Sequence, residues 1–354
     1  MPRPAHRDND QHRLLFVKLK HIGDALILTP TLVAARRQYP NAEIWVVVRQ
    51  GTEGILAGCP AIDHLLTVAP NENDQRGPGS LWRDLRTLLR LRRQRFDYAF
   101  ELTDGDRGRW LAGLSRARHR CTNANQRNLN GWWRRRFNAL SNTALSESHR
   151  VEKDFLTVAD CLPLPNEIPP LCFEEGKATE PESIRAVNDF VVIHPGSRWI
   201  KKRWPMDHWL ELGHSLLKQT QTIVISSGPA EDERQLAAKL VAEWGSQRAI
   251  TSDGQWTWAE LAACLYRARV FVGVDTAATH LAAACQCPIV GLYAYTLMHQ
   301  WKPWRAGGRL FHPGQWMDSQ EEILRHPASE IMRAHKPEKV FAAAREMMRA
   351  PGTS

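Results

Sequence analysis

The sequence predicts an α/β fold built from two Rossmann-like, doubly wound halves. Three observations carry that expectation. Short continuous apolar runs, of the kind that form parallel strands buried on both faces, alternate with stretches of helical apolar spacing. The alternation lapses once, across a proline- and acid-rich segment at 163–183 containing "PLPNEIPP" and "EEGKATEPE", and then restarts. At 354 residues the chain is also too long for one ordinary core. We therefore expect a loose polar arm over 1–12, one half over 13–175, a second over 176–336, and a closing helix and tail over 337–354.

Taken in order, Leu14-Leu15-Phe16-Val17 opens a strand over 14–19. Ala25, Leu26, Leu28, Leu32, Val33 and Ala35 recur at helical spacing and predict a helix over 24–38, ended by Tyr39-Pro40-Asn41. The run Ile44-Trp45-Val46-Val47-Val48 is a second buried strand. A helix at 52–58, a strand at 64–68, a basic helix at 80–94 and a strand at 97–102 follow. Residues 125–150, polar, basic and aromatic, read as a helix or loop excursion. Beyond the linker come strands at 191–193, 222–225, 270–274 and 288–293, with helices at 206–219, 231–244, 257–267, 277–285 and 337–349.

Composition narrows the function classes. A chain that is 43% hydrophobic and 24% charged is globular rather than disordered. No apolar run approaches the ~20 residues of a membrane helix, and "MPRPAHRDNDQH" has no apolar core of a secretory signal. The seven cysteines form no framework, and nothing beside Cys285 and Cys287 completes a zinc site. Such scattered thiols fit a reducing cytoplasm. The net charge of +9 is concentrated: residues 81–136 hold fifteen arginines against five acids, including "RLRRQR" and "WWRRRF". That density beside Trp132 and Trp133 suits an anionic partner, whether nucleic acid, lipid headgroup or phosphorylated substrate; the plainer alternative is a solvated basic face.

Four turns at strand ends carry candidate chemistry. The first, His21-Ile22-Gly23-Asp24, has one glycine and one carboxylate and lacks the glycines of a dinucleotide loop. In "VVIHPGSRWIKKRWP" small residues permit backbone approach to an anion, Ser197 donates, and Lys201 or Lys202 supplies charge; solvent-facing lysines are the plain reading. In "ISSGPAEDER" Glu231 is placed to accept from ribose hydroxyls or simply to meet a helix dipole. In "VGVDTAATHLAAA" Asp275 or Thr276 caps a helix whose free N–H groups at Thr276, Ala277 and Ala278 form a diphosphate cradle, with His280 just inside. No Asp-X-Asp metal motif stands nearby, so protein groups would replace a divalent cation.

Together "K-x-x-x-IGD-x-x-x-x-TP", "HPGSR…KRWP", "SSGP-x-E" and "GVDTAATHLAAA" give the chain, over nearly its whole length, a close resemblance to the ADP-heptose:lipopolysaccharide heptosyltransferases of glycosyltransferase family 9, and within them to the heptosyltransferase III branch. The resemblance implies a GT-B fold, with an N-terminal acceptor-binding domain and a C-terminal nucleotide-sugar-binding domain facing across a cleft. It implies an inverting, metal-independent transfer of heptose from ADP-heptose to inner-core lipopolysaccharide, in the cytoplasm at the inner membrane and without a cofactor. Asp24 takes the place of the general base, and Gly23 clears space for the acceptor. Ser197, Lys202, Asp275, Thr276, Ala277 and His280 take the donor phosphate and heptose positions, and Glu231 the ribose acid, with Lys201 one residue of register from Lys202. Arg134, Arg135 and Arg136 are the basic residues offered to phosphorylated core sugars, and the wider cluster to an anionic membrane surface.

Where relatives continue "LFGPT" or "LYGPT", this chain has Ala294-Tyr295, which leaves another sugar nucleotide or core acceptor as the alternative. A nucleic-acid-binding protein lacks its usual helix-turn-helix, RNP or zinc signature here. A nicotinamide oxidoreductase lacks G-x-G-x-x-G after the first strand of either half.

Overall fold

A computed structural model describes residues 12–70, 78–126, 128–144 and 147–349. The arm expected over 1–12, apart from His12, and the end of the expected C-terminal tail lie outside the described residues. The chain divides into two compact units, Met1–Cys172 and Phe173–Ser354.

In the first unit the elements are β1 (Arg13–Lys18), α1 (Ile22–Ile27), α2 (Thr29–Gln38), β2 (Glu43–Arg49), a 3₁₀ turn (Glu53–Leu56), β3 (His64–Val68), α3 (Pro78–Gln94), β4 (Tyr98–Glu101), α4 (Asp106–Gly113), β5 (His119–Asn123), α5 (Gly131–Arg134), β6 (Ala139–Ser141) and α6 (Arg150–Ala159). In the second they are β7 (Phe190–His194), α7 (Met206–Leu216), β8 (Thr222–Ile225), α8 (Glu231–Trp244), β9 (Ala249–Thr251), α9 (Trp258–Arg267), β10 (Phe271–Val274), α10 (Ala277–Ala284), β11 (Ile289–Leu292), α11 (Met298–Trp301), β12 (Gly308–Phe311), α12 (Gln320–Arg325), α13 (Ala328–Ala334) and α14 (Pro337–Arg349).

Both sheets are six-stranded, with the orders β3-β2-β1-β4-β5-β6 and β12-β11-β10-β7-β8-β9. All pairings are parallel. Counted within each unit, both orders read 3-2-1-4-5-6, the doubly wound arrangement. The order therefore reverses between β1 and β4 in one unit and between β7 and β10 in the other. Ligands of such sheets bind at that reversal, outside the carboxyl ends of the strands.

The central strands are buried on both faces. Leu14 through Val17 and Val191 through Val192 have no exposed surface, each such side chain contributing about 1.5–3 kcal/mol of hydrophobic stabilisation. The C-terminal helix α14 joins the second unit's core through Val340, Ala343 and Ala344, beside Trp209 and Leu212 of α7. Among the described residues no helix is long and apolar enough to cross a membrane.

Several expectations need correction. The helix expected over 24–38 is two helices, α1 and α2, meeting at Leu28. Pro30 has no N–H to return to the Leu26 carbonyl, and the Thr29 hydroxyl donates to that oxygen instead, at 2.7 Å. The helix expected at 52–58 is only the 3₁₀ turn. Residues 125–150 are not a mere excursion, since β6 within them pairs with β5 and completes the first sheet. The strands β5, β6, β9 and β12 were not anticipated: they are short or polar, and pairing rather than composition makes them strands.

Candidate active site

At the reversal of the first sheet, β1 ends in Lys18 and β4 in Glu101. Asp24 follows β1 on the first turn of α1, buried, with its Oδ2 accepting from the His21 N–H at 3.2 Å. His21, not Asp24, is the N-cap, and Gly23 is a half-buried residue of the same turn. A run of charges surrounds this turn. Lys18 Nζ lies 2.5 Å from Asp154 Oδ2 on α6, with side chains only 2% and 0% exposed. Asp104, just past β4, pairs with Lys20 at 3.1 Å and with Lys153 of α6.

The titration of these groups follows from their neighbours. Burial opposes the charge of Lys18, but Asp154, and then Asp24, raise its pKa above the ordinary lysine value. Burial also opposes the Asp104 carboxylate, yet Lys153 and Lys20 hold it down at about 2. Glu101 is pushed up by burial and then by Asp104, although it accepts from the Thr103 and Asp104 N–H groups, Thr122 Oγ1 and Gln126 Nε2. Asp24 therefore sits beside an alternating lysine–aspartate array on rigid strand and helix ends.

At the reversal of the second sheet, the loops after β7 and β10 are joined by one ion pair. Lys202 Nζ meets Asp275 Oδ2 at 2.6 Å, and the Thr296 hydroxyl donates to the same oxygen. The two lysines between which the sequence left the choice open differ in place: Lys202 faces Asp275, whereas Lys201 Nζ lies 5.9 Å from the Trp199 ring centroid and 5.8 Å from that of Tyr295. Asp275 is not the cap of α10. Thr276 is, and no side chain caps this helix. Thr276 Oγ1 is buried with no partner among the described residues. Ala277 begins α10, and His280 is buried one turn in. An uncapped helix start beside an ammonium group is suited to a diphosphate.

Ser197 is buried in the loop after β7 and its Oγ accepts from the Trp199 N–H at 3.3 Å. His194, at the end of β7, shares a 2.8 Å hydrogen bond with Ser226 Oγ, and burial lowers its pKa to about 4, so it is uncharged near neutrality. Glu231 is at the start of α8 with its side chain 68% exposed, accepting from Gln235 Nε2 at 2.9 Å. The carboxylate between the loops is Glu233 instead. It accepts from the Gly228 N–H at 3.2 Å, and a Cβ on either Gly196 or Gly228 would collide with it. Burial raises the pKa of that carboxyl.

Glu233, Thr296, Asp104, Lys153 and Asp154 were not singled out from the sequence, and Lys18 entered only as the first residue of the K-x-x-x-IGD motif; two of the five left a signal. Glu233 shares the buried stripe of α8 with Ala237, Leu240 and Trp244, which Glu231 does not. Asp154 falls among Val151, Phe155 and Val158 on the buried face of α6, where an acid is costly without a partner.

Arg134, Arg135 and Arg136 are exposed around α5, and among the described residues none pairs with a carboxylate. The Arg136 guanidinium lies 4.7 Å from the Trp132 ring centroid, and Trp132 packs against Trp133 and Trp110. Among the described residues no three His, Cys, Asp or Glu side chains gather as a metal site requires.

Comparison with known proteins gives a consistent picture. The family described as glycosyltransferase family 9 (heptosyltransferase) matches residues 85–318. Lipopolysaccharide heptosyltransferase 3 of Escherichia coli K12 is 24% identical over 344 residues, covering 93% of this chain and 96% of that protein. Lipopolysaccharide heptosyltransferase 1 of Pseudomonas aeruginosa is 27% identical over 301 residues, 80% of this chain and 79% of that protein. Among solved structures, E. coli heptosyltransferase WaaC with ADP superposes with a TM-score of 0.77 at 19% identity, over 95% of this chain and 99% of that one. A family 9 glycosyltransferase from Veillonella parvula also gives 0.77, at 18% identity, over 95% and 97%. The two doubly wound units are thus the GT-B fold of these structures.

Proposed function

The chain belongs to glycosyltransferase family 9, and from that premise we propose that it transfers heptose from ADP-heptose to the inner core of lipopolysaccharide, with inversion and without a metal ion. The observation that carries the reading is the 2.6 Å contact of Lys202 with Asp275, at the sheet reversal and next to the uncapped start of α10. An ammonium group has three donors. Asp275 takes one and orients the side chain, and the others remain for the donor phosphates. The N–H groups at Ala277 and Ala278, with the Thr276 hydroxyl, receive the diphosphate, and His280 and Ser197 complete its surroundings. Glu231, exposed at the helix start, accepts from the ribose, while Glu233 holds the two loops on either side at their spacing.

In the first unit the acceptor hydroxyl loses its proton to Asp24 as its oxygen attacks the anomeric carbon from the side opposite ADP. The bond from that carbon to the diphosphate oxygen breaks, and Lys202 with the α10 terminus takes up the charge developing on the leaving group. Gly23 leaves room beside Asp24 for the incoming sugar. Arg134, Arg135 and Arg136 draw in the phosphorylated core, and the basic surface of this unit meets the anionic cytoplasmic face of the inner membrane.

A second reading, a different sugar nucleotide, rests on Ala294-Tyr295, which depart from the pattern the family resemblance implies; the Tyr295 hydroxyl donates to the His326 carbonyl and its ring faces Lys201. One experiment tests both. Incubating the protein with ADP-heptose and truncated lipopolysaccharides of defined length should yield a product heavier by one heptose. No product from ADP-heptose, but one from another sugar nucleotide, would replace the first reading by the second.

A further inference from the structure

Helix α3 carries two apolar faces where one is needed. Leu88 and Leu91 are buried in the core of the first unit, and Asp84 on the same side binds Arg107 at 2.7 Å. Trp82, Leu85 and Leu89 point elsewhere, 64%, 42% and 47% exposed. At 3.6 residues per turn these three fall within about 60° of arc. Arg92 borders the stripe on one side and Arg93, Arg86, Arg90 and Arg83 border it on the other. Arg83 donates to Gln50 Oε1 and Arg90 lies over the Trp45 ring, contacts that fix direction without cancelling charge. Among the described residues no carboxylate pairs with any of the five.

We propose that this face of α3 docks on an anionic lipid bilayer, with Trp82, Leu85 and Leu89 entering the interface and the bordering arginines meeting lipid phosphates. An apolar stripe flanked by cations is the pattern that lies in the plane of such a surface. Charge decides against the other occupants. A second copy of the chain, meeting this face by two-fold symmetry, would set the arginines against their own counterparts. A nucleic acid would satisfy the arginines but offers nothing apolar to Leu85 and Leu89. The inference deepens the membrane contact proposed above by naming the element responsible, and it separates α3 from Arg134, Arg135 and Arg136, which remain for the acceptor.

The test is co-sedimentation of the full chain with vesicles that contain no lipopolysaccharide, so neither donor chemistry nor acceptor binding enters. Vesicles of phosphatidylcholine with about a third phosphatidylglycerol should bind the native protein at least ~10-fold more tightly than phosphatidylcholine alone, a preference reduced by salt. The variant Trp82→Ser/Leu85→Ser/Leu89→Ser changes only exposed side chains, so its melting temperature and its activity on a soluble core oligosaccharide should be native, while vesicle binding falls by ~10-fold or more. Arg86→Gln/Arg93→Gln should weaken binding to the anionic vesicles alone, and Arg134→Gln/Arg135→Gln/Arg136→Gln should bind them like the native protein. Native vesicle binding by the serine variant would overturn the proposal, as would equal binding to neutral and anionic vesicles. A native dimer in sedimentation that the serine variant dissociates would reassign the stripe to self-association.

Discussion

Replacing Asp24 by Asn separates a catalytic carboxylate from a helix-start residue, because the structure gives the two roles different magnitudes. The side chain accepts one hydrogen bond, from the His21 N–H at 3.2 Å, and an amide oxygen can accept it equally well. What is lost structurally is a negative charge on the first turn of α1, worth about 0.3–1 kcal/mol, and part of the field at Lys18, which keeps Asp154 at 2.5 Å. The total is about 1 kcal/mol, or a fall of about 2–4 °C in Tm for units of this size. Loss of a general base costs about 10²- to 10⁴-fold in rate, equivalent to about 2.7–5.5 kcal/mol at 1.36 per decade. Asp24→Asn should therefore melt almost normally, bind donor with an unchanged KM, and turn over at least ~100-fold more slowly. ADP release measured against heptose donor and truncated lipopolysaccharide, beside a thermal melt, reads both quantities. A kcat within a few-fold of native would refute the base assignment and leave Asp24 as a helix-start carboxylate that accepts from the His21 N–H.

Changing Arg134, Arg135 and Arg136 together to Gln should raise the acceptor KM and leave the donor KM alone, with the gap narrowing at high salt or on a dephosphorylated core, since exposed ionic contacts are screened. Equal acceptor KM in the two proteins would end that proposal. If, as proposed, Lys202 and the α10 terminus stabilise the leaving group, turnover should persist in excess EDTA; loss on chelation, restored by Mg²⁺ or Mn²⁺, would contradict this. Burial holds His194 and His335 at about 4, below the ~6.5 of an unfolded histidine. Between those values the unfolded chain binds more protons, so their contribution is complete above about pH 6.5 and is lost as pH falls towards 4, by at most about 3 kcal/mol each. The raised carboxyls of Glu101 and Glu233 act in the opposite direction. Urea melts from pH 7.5 to 5 are therefore compared between the native protein and His194→Gln, whose slope should be shallower; identical slopes would sink the assignment.

The sequence by itself determined the two βαβ series and most of their central elements. Strands buried on both faces must be continuously apolar, as in "LLFV" and "IWVVV", and that pattern survives any arrangement of neighbours. It also offered candidate turns, since residues suited to anions follow those strands directly. It did not disclose β5, β6, β9 or β12, whose few residues become strands only by pairing with a neighbour far along the chain. Nor did it separate Lys201 from Lys202, adjacent residues of the same type, until the backbone turned one towards Asp275 and the other towards Trp199 and Tyr295. The same holds for the pairing of Lys18 with Asp154 over 136 positions. Periodicity is a local property and is legible residue by residue. Which charges neutralise one another is decided by distance in space, and only the folded chain brings those groups within a few ångströms.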